Sequence, residues 1–385
     1  MNISKTIRRF LYWLFLLVSP YLSYAGNTNK MLDENITRLL VVPYHFALEH
    51  RNTRFGGIIY TGRDMKNLSQ YGLDTILSLN NSFLNQEDPP FIMIDEEGGV
   101  VSRLRYFKEF QELCYQDESI TDFLREYDIH VSYVLPSERE IGMAYEKVRD
   151  DQSDMFLRKF YKYNRSLARI LRQLGFNTVL APVVDVCDSG YMTDRTYSSD
   201  PKIVIELAGV MIQAFEEEGI FTCVKHFPGL GNLPNSQDPH YKKIFFYQTD
   251  ENQLLPFYVL PSSMIMVSHG IYLDIDTLPL SVSPRTVDYL PDYRIVISDD
   301  ISMSSVEPLW KDELFDNLID VNDLIIITCF KSKHPSKQIY DFITRISYTD
   351  TSTVNKKLHE LMKVKQRYPE RFRPSRRINI LRGSH

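Results

Sequence analysis

The stretch Phe91-Ile-Met-Ile-Asp95-Glu-Glu-Gly-Gly99 decides how the rest of the chain is read. Four apolar residues with no polar alternation describe a strand buried on both faces. They run directly into three carboxylates and a glycine pair, so the strand ends in charge and a turn. The pattern recurs. Thr178 to Val186 carries Asp185 at its end, and Thr222 to His226 closes on Lys225-His226-Phe227-Pro228-Gly229. Met264 to His269 closes on Ser268-His269-Gly270, and Arg294 to Ser298 runs into Asp299-Asp300. Arg38 to Pro43, Gly57 to Thr61 and Leu324 to Phe330 complete eight such runs. Helical patterns lie between them, at Phe156 to Leu174 and Ile203 to Glu218. Eight buried strands alternating with helices predict an α/β chain folded as a single (β/α)₈ TIM barrel. Polar residues from separate strand ends would then converge on one rim, the C-terminal face. The rival architecture, a doubly wound open sheet, usually binds a nucleotide through a Gly-rich first turn. Neither a G-x-G-x-x-G nor a P-loop occurs here.

Composition narrows the function. The 385 residues are 43% hydrophobic, which suits a sizeable core and excludes low-complexity disorder. A formal net charge of −6 argues against a general nucleic-acid binder. Four cysteines (Cys114, Cys187, Cys223, Cys329) without C-x-x-C spacing make neither a disulfide framework nor a structural zinc site. No metal or other cofactor is expected, because the histidines lack ligand spacing.

The first 25 residues read as a secretory signal. Lys5, Arg8 and Arg9 form a basic start, Phe10 to Val18 an apolar stretch, and Ser23-Tyr24-Ala25 a small-x-small cleavage site. An uncleaved anchor is the alternative. Once the segment is cleaved, no membrane span is expected, and the protein would sit in the periplasm or cell envelope, or in the cytoplasm if the segment is not used. Residues 26–368 are expected to hold the barrel. The connection from Tyr106 to Phe176 is long, and residues 109–133 read as an insertion beside the rim. Residues 369–385 read as a basic, solvated tail.

At the strand ends the chain resembles family 3 glycoside hydrolases, on Asp95-Glu-Glu-Gly-Gly-Val-Val-Ser-Arg103, Ala181-Pro-Val-Val-Asp185, Arg195-Thr-Tyr, Lys225-His-Phe-Pro-Gly229 and Ser298-Asp-Asp-Ile-Ser-Met303. It is most similar to the single-domain bacterial β-N-acetylglucosaminidases of peptidoglycan recycling. The resemblance implies retaining hydrolysis of terminal β-linked N-acetylglucosamine, from peptidoglycan-derived GlcNAc-MurNAc fragments. It implies Asp299 as the nucleophile, His240 as the acid/base and Asp238 as the partner of that histidine. It implies Asp95, Arg103, Arg195, Lys225 and His226 as groups that hold the sugar. Chemically, an attacking carboxylate and a proton donor are the two groups that retention requires. Imidazole titrates near neutrality, and a neighbouring carboxylate favours its charged form. His269 is expected to line the same pocket or to be a buried core histidine. Glu96 and Glu97 are set aside as catalysts, Asp185 reads as a structural acceptor, and Asp300 as a helix cap.

Two positions depart from the family pattern. Leu230 stands where such proteins usually carry His, and Pro239 separates Asp238 from His240 where Ser is usual. Proline restricts its own φ and the residue before it, which predicts a stiffer loop. Three other readings stay open. They are a β-glucosidase or β-xylosidase of the same family, a glycoside phosphorylase, and a non-catalytic cell-wall glycan-binding protein on the same barrel.

Overall fold

The computed structural model describes residues 32–375, except 132, 232, 235, 239, 247, 292–294, 307–314 and 347–350. The expected signal segment 1–25 and Pro239 therefore lie outside the described residues. The barrel strands are β1 (Leu40–Pro43), β2 (Gly57–Tyr60), β3 (Phe91–Ile94), β4 (Thr178–Val179), β5 (Phe221–Phe227), β6 (Met264–Val267), β7 (Ile295–Ser298) and β8 (Ile325–Ile326). Each pairs in parallel with its sequence neighbours, and β8 pairs with β1 through Leu40↔Ile325. A parallel bridge between Ile297 and Leu324 joins β7 to the start of β8 and closes the ring. Every residue of β1, β2, β3, β6 and β7 is buried, as their unbroken apolar runs require.

Two strands are shorter than their apolar runs. After Val179, regular pairing of β4 stops, and only Val183 bridges Lys225 further on. Pro182 has no N–H to continue a ladder. At the other end of the chain, pairing stops at Ile326, and Thr328 and Cys329 turn their N–H groups to Asp300 and Ser302 side chains.

Helices α1 (Gly62–Leu68), α2 (Leu73–Leu84), α3 (Lys108–Gln116), α4 (Glu118–Glu126) and α5 (Glu138–Gln173) come before β4 or lead into it. Helix α6 (Pro201–Glu217), α7 (Glu251–Val259), α8 (Phe315–Val321), α9 (Pro335–Ile346) and α10 (Thr351–Arg367) follow. Thr61, just past β2, caps α1 in a capping box with Asp64. The 36-residue α5 starts from a second capping box, Ser137 with Glu140, and kinks at Gln152, where φ is −137°.

The insertion 109–133 is helical and packs on the barrel's outer helices, with its end beside the rim, where the Tyr133 ring meets Arg105. It forms α3 and α4, whose apolar faces bury Phe110, Leu113, Ile120 and Phe123. Phe123 packs on Phe156, Phe160 and Tyr163 of α5, with ring centroids 5.2–5.5 Å apart. None of the insertion's described residues lines the cleft described below.

The solvated-tail expectation also needs correction for residues 369–375. Arg371 and Phe372 are buried. The Arg371 guanidinium sits 4.3 Å from the Phe221 ring centroid and donates to Glu216 at 2.6 Å. Phe372 packs on Phe91 and Phe221, the first residues of β3 and β5, so this segment stoppers the N-terminal mouth of the barrel. An aromatic plug compensates burial of the cation through its ring faces and one carboxylate. Residues 376–385 lie outside the described residues.

Candidate active site

The C-terminal rim encloses a cleft of about 500 Å³. Asp95, Arg103, Arg195, Lys225, His226, His240 and Asp299 all line it. They come from the ends of β3, β5 and β7 and from the connections after β3, β4 and β5.

The floor is an alternating charge chain. Asp95, one residue past β3, accepts hydrogen bonds from Arg103 Nη2 and Lys225 Nζ, both at 3.1 Å. Lys225, on β5 and 2% exposed, also contacts Glu97 Oε1 at 2.5 Å. Glu97 grips Arg195 through two bonds of 2.9 Å, a planar fork on a planar carboxylate. Burial opposes the charge on each carboxylate, but the adjacent cations win. Lys225 and Arg103 hold Asp95 well below its usual range. Arg195 and Lys225 bring Glu97 down to about 2. Gly98 makes this turn possible: its φ is +87°, and a Cβ there would lie 2.0 Å from the Pro136 carbonyl oxygen.

Glu96 points elsewhere. Its Oε2 accepts the N–H groups of Arg103 and Leu104, at 2.9 and 3.0 Å, which fixes the backbone that carries Arg103. Burial raises its carboxyl to about 7, only partly offset by those bonds.

Asp185 is fully buried and acts as the structural acceptor expected of it. It binds His226 Nδ1 at 2.8 Å and takes the N–H groups of His226 and Leu230. That pins Nδ1, so the other ring nitrogen, Nε2, turns toward Arg195, whose Nη2 is 3.4 Å away. Leu230, at the first departure from the family pattern, is buried in a small apolar cluster with Val183, Cys187, Met192, Leu233 and Ile244. Leu230 also lines the cleft, with Tyr191 packed against the same cluster. This cluster anchors both ends of the connection that carries His240.

His240 and Asp238 meet as expected. Asp238 Oδ1 accepts both the backbone N–H and Nδ1 of His240, each at 2.8 Å. The Tyr191 hydroxyl lies 3.3 Å from the same nitrogen. With Nδ1 engaged, Nε2 is the nitrogen left to exchange a proton in the cleft.

Asp299 follows β7, with its N–H bonded to the Val267 carbonyl of β6 at 3.0 Å and its Oδ1 accepting from the Asp300 N–H at 2.8 Å. Burial pushes its carboxyl up, but the fields of His226, His269 and His240 and that N–H leave it below the ordinary value. It is thus held as an anion. Asp300 is buried and spends its carboxylate on Ser302 and Thr328, which makes it a structural brace for the turn.

His269 is the expected site residue that the structure moves out of the cleft. Both its nitrogens are engaged inside the protein, Nδ1 with Ser281 Oγ at 2.7 Å and Nε2 with the Asp300 carbonyl at 3.0 Å. It does not line the cleft. Its contact with the Asp300 carbonyl instead braces the segment that presents Asp299. Burial lowers its basicity, with Asp299 opposing.

Several lining residues were not singled out from the sequence. Glu97 is the hub of the charge chain. Its signal was present, since Arg195 and Lys225 need a buried counter-charge that Asp95 alone cannot give. Tyr191, Phe330 and Arg63 also line the cleft, and nothing in their local sequence marks them. Among the described residues, no group of three or more His, Cys, Asp or Glu side chains is placed to hold a metal ion. None of the described helices is long and apolar enough to cross a membrane.

A parallel eight-stranded barrel with a carboxylate and an imidazole on one rim cleft is a fold that hosts many chemistries. Comparison with known proteins narrows them. Residues 134–313, just under half of the chain, match the model of the glycosyl hydrolase family 3 N terminal domain. The chain is 26% identical over 295 residues to the beta-hexosaminidase A of Pseudoalteromonas piscicida, a match covering 71% of this chain and 44% of that protein. The chain thus spans less than half the length of that relative. Among solved structures, it resembles LpqI of Mycobacterium tuberculosis with a TM-score of 0.64 and 22% identity, covering 86% of this chain and 93% of that one. A family 3 beta-N-acetylglucosaminidase from Paenibacillus gives a TM-score of 0.67 at 19% identity, covering 88% and 63%. Both likenesses show the barrel fold.

Proposed function

We propose that the protein is a retaining glycoside hydrolase that removes terminal β-linked N-acetylglucosamine. The observation that carries this reading is that Asp299 and His240, the latter paired with Asp238, open onto one cleft whose floor is a fixed set of charged donors and acceptors. The names of the relatives, hexosaminidase and N-acetylglucosaminidase, support the amino sugar.

The chemistry divides among the residues. The charge chain Arg103–Asp95–Lys225–Glu97–Arg195 offers donors and acceptors to the sugar hydroxyls and N-acetyl group on rigid strand ends. Asp299, kept ionised, attacks the anomeric carbon as the glycosidic C–O bond breaks. Protonated His240 gives its Nε2 proton to the departing oxygen, while Asp238 stabilises the imidazolium through Nδ1. A covalent glycosyl ester on Asp299 results. Neutral His240 then takes a proton from water, the water oxygen attacks the same carbon, and the Asp299 carboxylate leaves. Two displacements return the β configuration.

The substrate class we infer is peptidoglycan fragments with GlcNAc linked to an N-acetylmuramic acid unit. The basic and apolar composition of residues 1–25 supports export to the periplasm or envelope, where such fragments arise. The test is to follow hydrolysis of an aryl β-N-acetylglucosaminide and of the GlcNAc-MurNAc disaccharide by NMR, with and without phosphate. First-formed β-anomer of free GlcNAc, at a rate indifferent to phosphate, is the expected result. First-formed α-anomer would contradict the double displacement, a sugar phosphate would make the protein a phosphorylase, and binding without turnover would make it a glycan-binding protein.

A further inference from the structure

The hydrogen bonds that pair His240 with Asp238 are local, spanning two residues, and they cannot fix the imidazole relative to the barrel. Outside the loop, the Tyr191 hydroxyl reaches Nδ1 at 3.3 Å, but one long contact leaves the ring underdetermined, and a general acid works only when aimed at the departing oxygen.

The turn after β8 meets that need from across the rim. Cys329 takes φ +50°, a left-handed conformation uncommon in a non-glycine residue. Its N–H is held by Ser302 Oγ at 3.1 Å, and its carbonyl accepts from the Ser332 N–H at 2.8 Å. Phe330, the next residue, lines the cleft and sets its ring edge-to-face against the His240 imidazole, with centroids 5.9 Å apart and planes at 87°. Lys331 donates its ammonium to the backbone carbonyl of His240. The same ammonium lies 3.5 Å from the ring centroid of Tyr241. The Ser304 N–H reaches the His240 carbonyl as well, at 3.2 Å. The ring of His240, its carbonyl and its neighbour's ring are thus all held by residues that follow β7 and β8.

We propose that Phe330 and Lys331 form a latch that aims His240, so that proton delivery to the leaving group depends on the turn after β8. The inference rests on the reading of His240 as the acid/base. Both are positioning residues, since they act through His240. Cation–π and charge-assisted contacts of this kind are strong enough to hold a loop and weak enough to release it.

Lys331→Met keeps the length of the side chain and removes its charge and donors, and Lys331→Arg keeps both. In a series of aryl β-N-acetylglucosaminides, the Met variant is expected to lose about ten-fold in kcat/KM for the most basic leaving groups, in line with a sub-ångström misplacement of a catalytic group. The loss should shrink as the leaving group becomes more acidic and needs less protonation. Lys331→Arg should restore most of it. Trypsin should also cut faster after the exposed Lys242 and Lys243 in the Met variant than in the parent or the Arg variant. A loss equal for all leaving groups, or no change in both assays, would overturn the latch. If the parent hydrolyses no aryl glycoside, the hydrolase reading fails by itself. Proteolysis then still decides whether the turn holds the loop, with faster cutting supporting that contact and equal cutting refuting it.

Discussion

The two halves of the cleft are built on different physical terms. The charged floor rests on the ends of β3 and β5 and on the connections after β3 and β4, and its five charged side chains are tied together by bonds of 2.5–3.1 Å. The acid/base half rests on the irregular connection after β5, tied down by a six-residue apolar cluster and by contacts from the turn after β8. A rigid floor fixes where the anomeric carbon lies without reorganisation at the moment of reaction. A tethered loop can admit substrate and release product, yet still bring an imidazole to the leaving oxygen. The division teaches that recognition and proton transfer are separable here, and substitutions should separate them.

The largest effect is expected where the halves meet. Asp299→Ala should lower kcat by about 10⁴-fold or more, the scale of losing a nucleophile, with the thermal midpoint little changed. A variant that kept most of its turnover would place the nucleophile elsewhere. Next, Glu97→Ala strands Arg195 and Lys225 without their shared partner. Breaking a buried charge network in this way costs about 3–5 kcal/mol of stability, readable by urea denaturation, and sugar affinity should fall with it. If stability held, the floor would not be the rigid element described. Third, His240→Ala should leave stability close to that of the parent while lowering kcat/KM for poor leaving groups by about 10²-fold. A large drop in stability would mean that the loop is part of the core and erase the contrast.

The smallest effect concerns pH. Glu96 is buried, and its carboxyl rises to about 7 in the folded chain. The native state therefore keeps a proton that the unfolded chain loses near its ordinary value. Stability must then fall as pH rises from the unfolded value toward 7. Between pH 5 and 7 the loss is about 2 kcal/mol. Glu96→Gln should flatten that slope in denaturation curves at the two pH values. An unchanged slope would assign the pH dependence to other groups.

The floor was readable because its residues sit at strand ends, where apolar runs break into charge. Asp95, Lys225, His226 and Asp299 all carry that signature. So does His269, and it shows the limit of the pattern. A strand-end histidine looks the same whether it faces the cleft or turns inward to Ser281 and a backbone carbonyl. Glu97 was weighed only as a catalyst and set aside, and its part as a counter-charge emerges only when Arg195, 98 residues away in sequence, is brought against it. The stopper at Arg371 and Phe372 was hidden for a related reason. A basic terminal stretch reads as solvated, and only the barrel supplies the Phe221 ring and the Glu216 carboxylate that bury it. The insertion carried an amphipathic pattern in Phe110, Leu113, Ile120 and Phe123, but length alone suggested a rim excursion. Its partner, the part of α5 after the kink at Gln152, became evident only with the fold. Long-range pairing is the common element in what stayed hidden.

The central claim is that Asp299 and His240 share one reaction, the first making the glycosyl bond and the second governing its release. The most direct test is the intact mass of the His240→Ala variant mixed with an activated aryl β-N-acetylglucosaminide and quenched in acid. Loss of the base slows water attack more than it slows departure of a leaving group that needs no proton. The account predicts that the protein gains one N-acetylhexosaminyl group and that peptide mapping places it on Asp299. Rapid aryl release with no such adduct, or an adduct on any other residue, would contradict it.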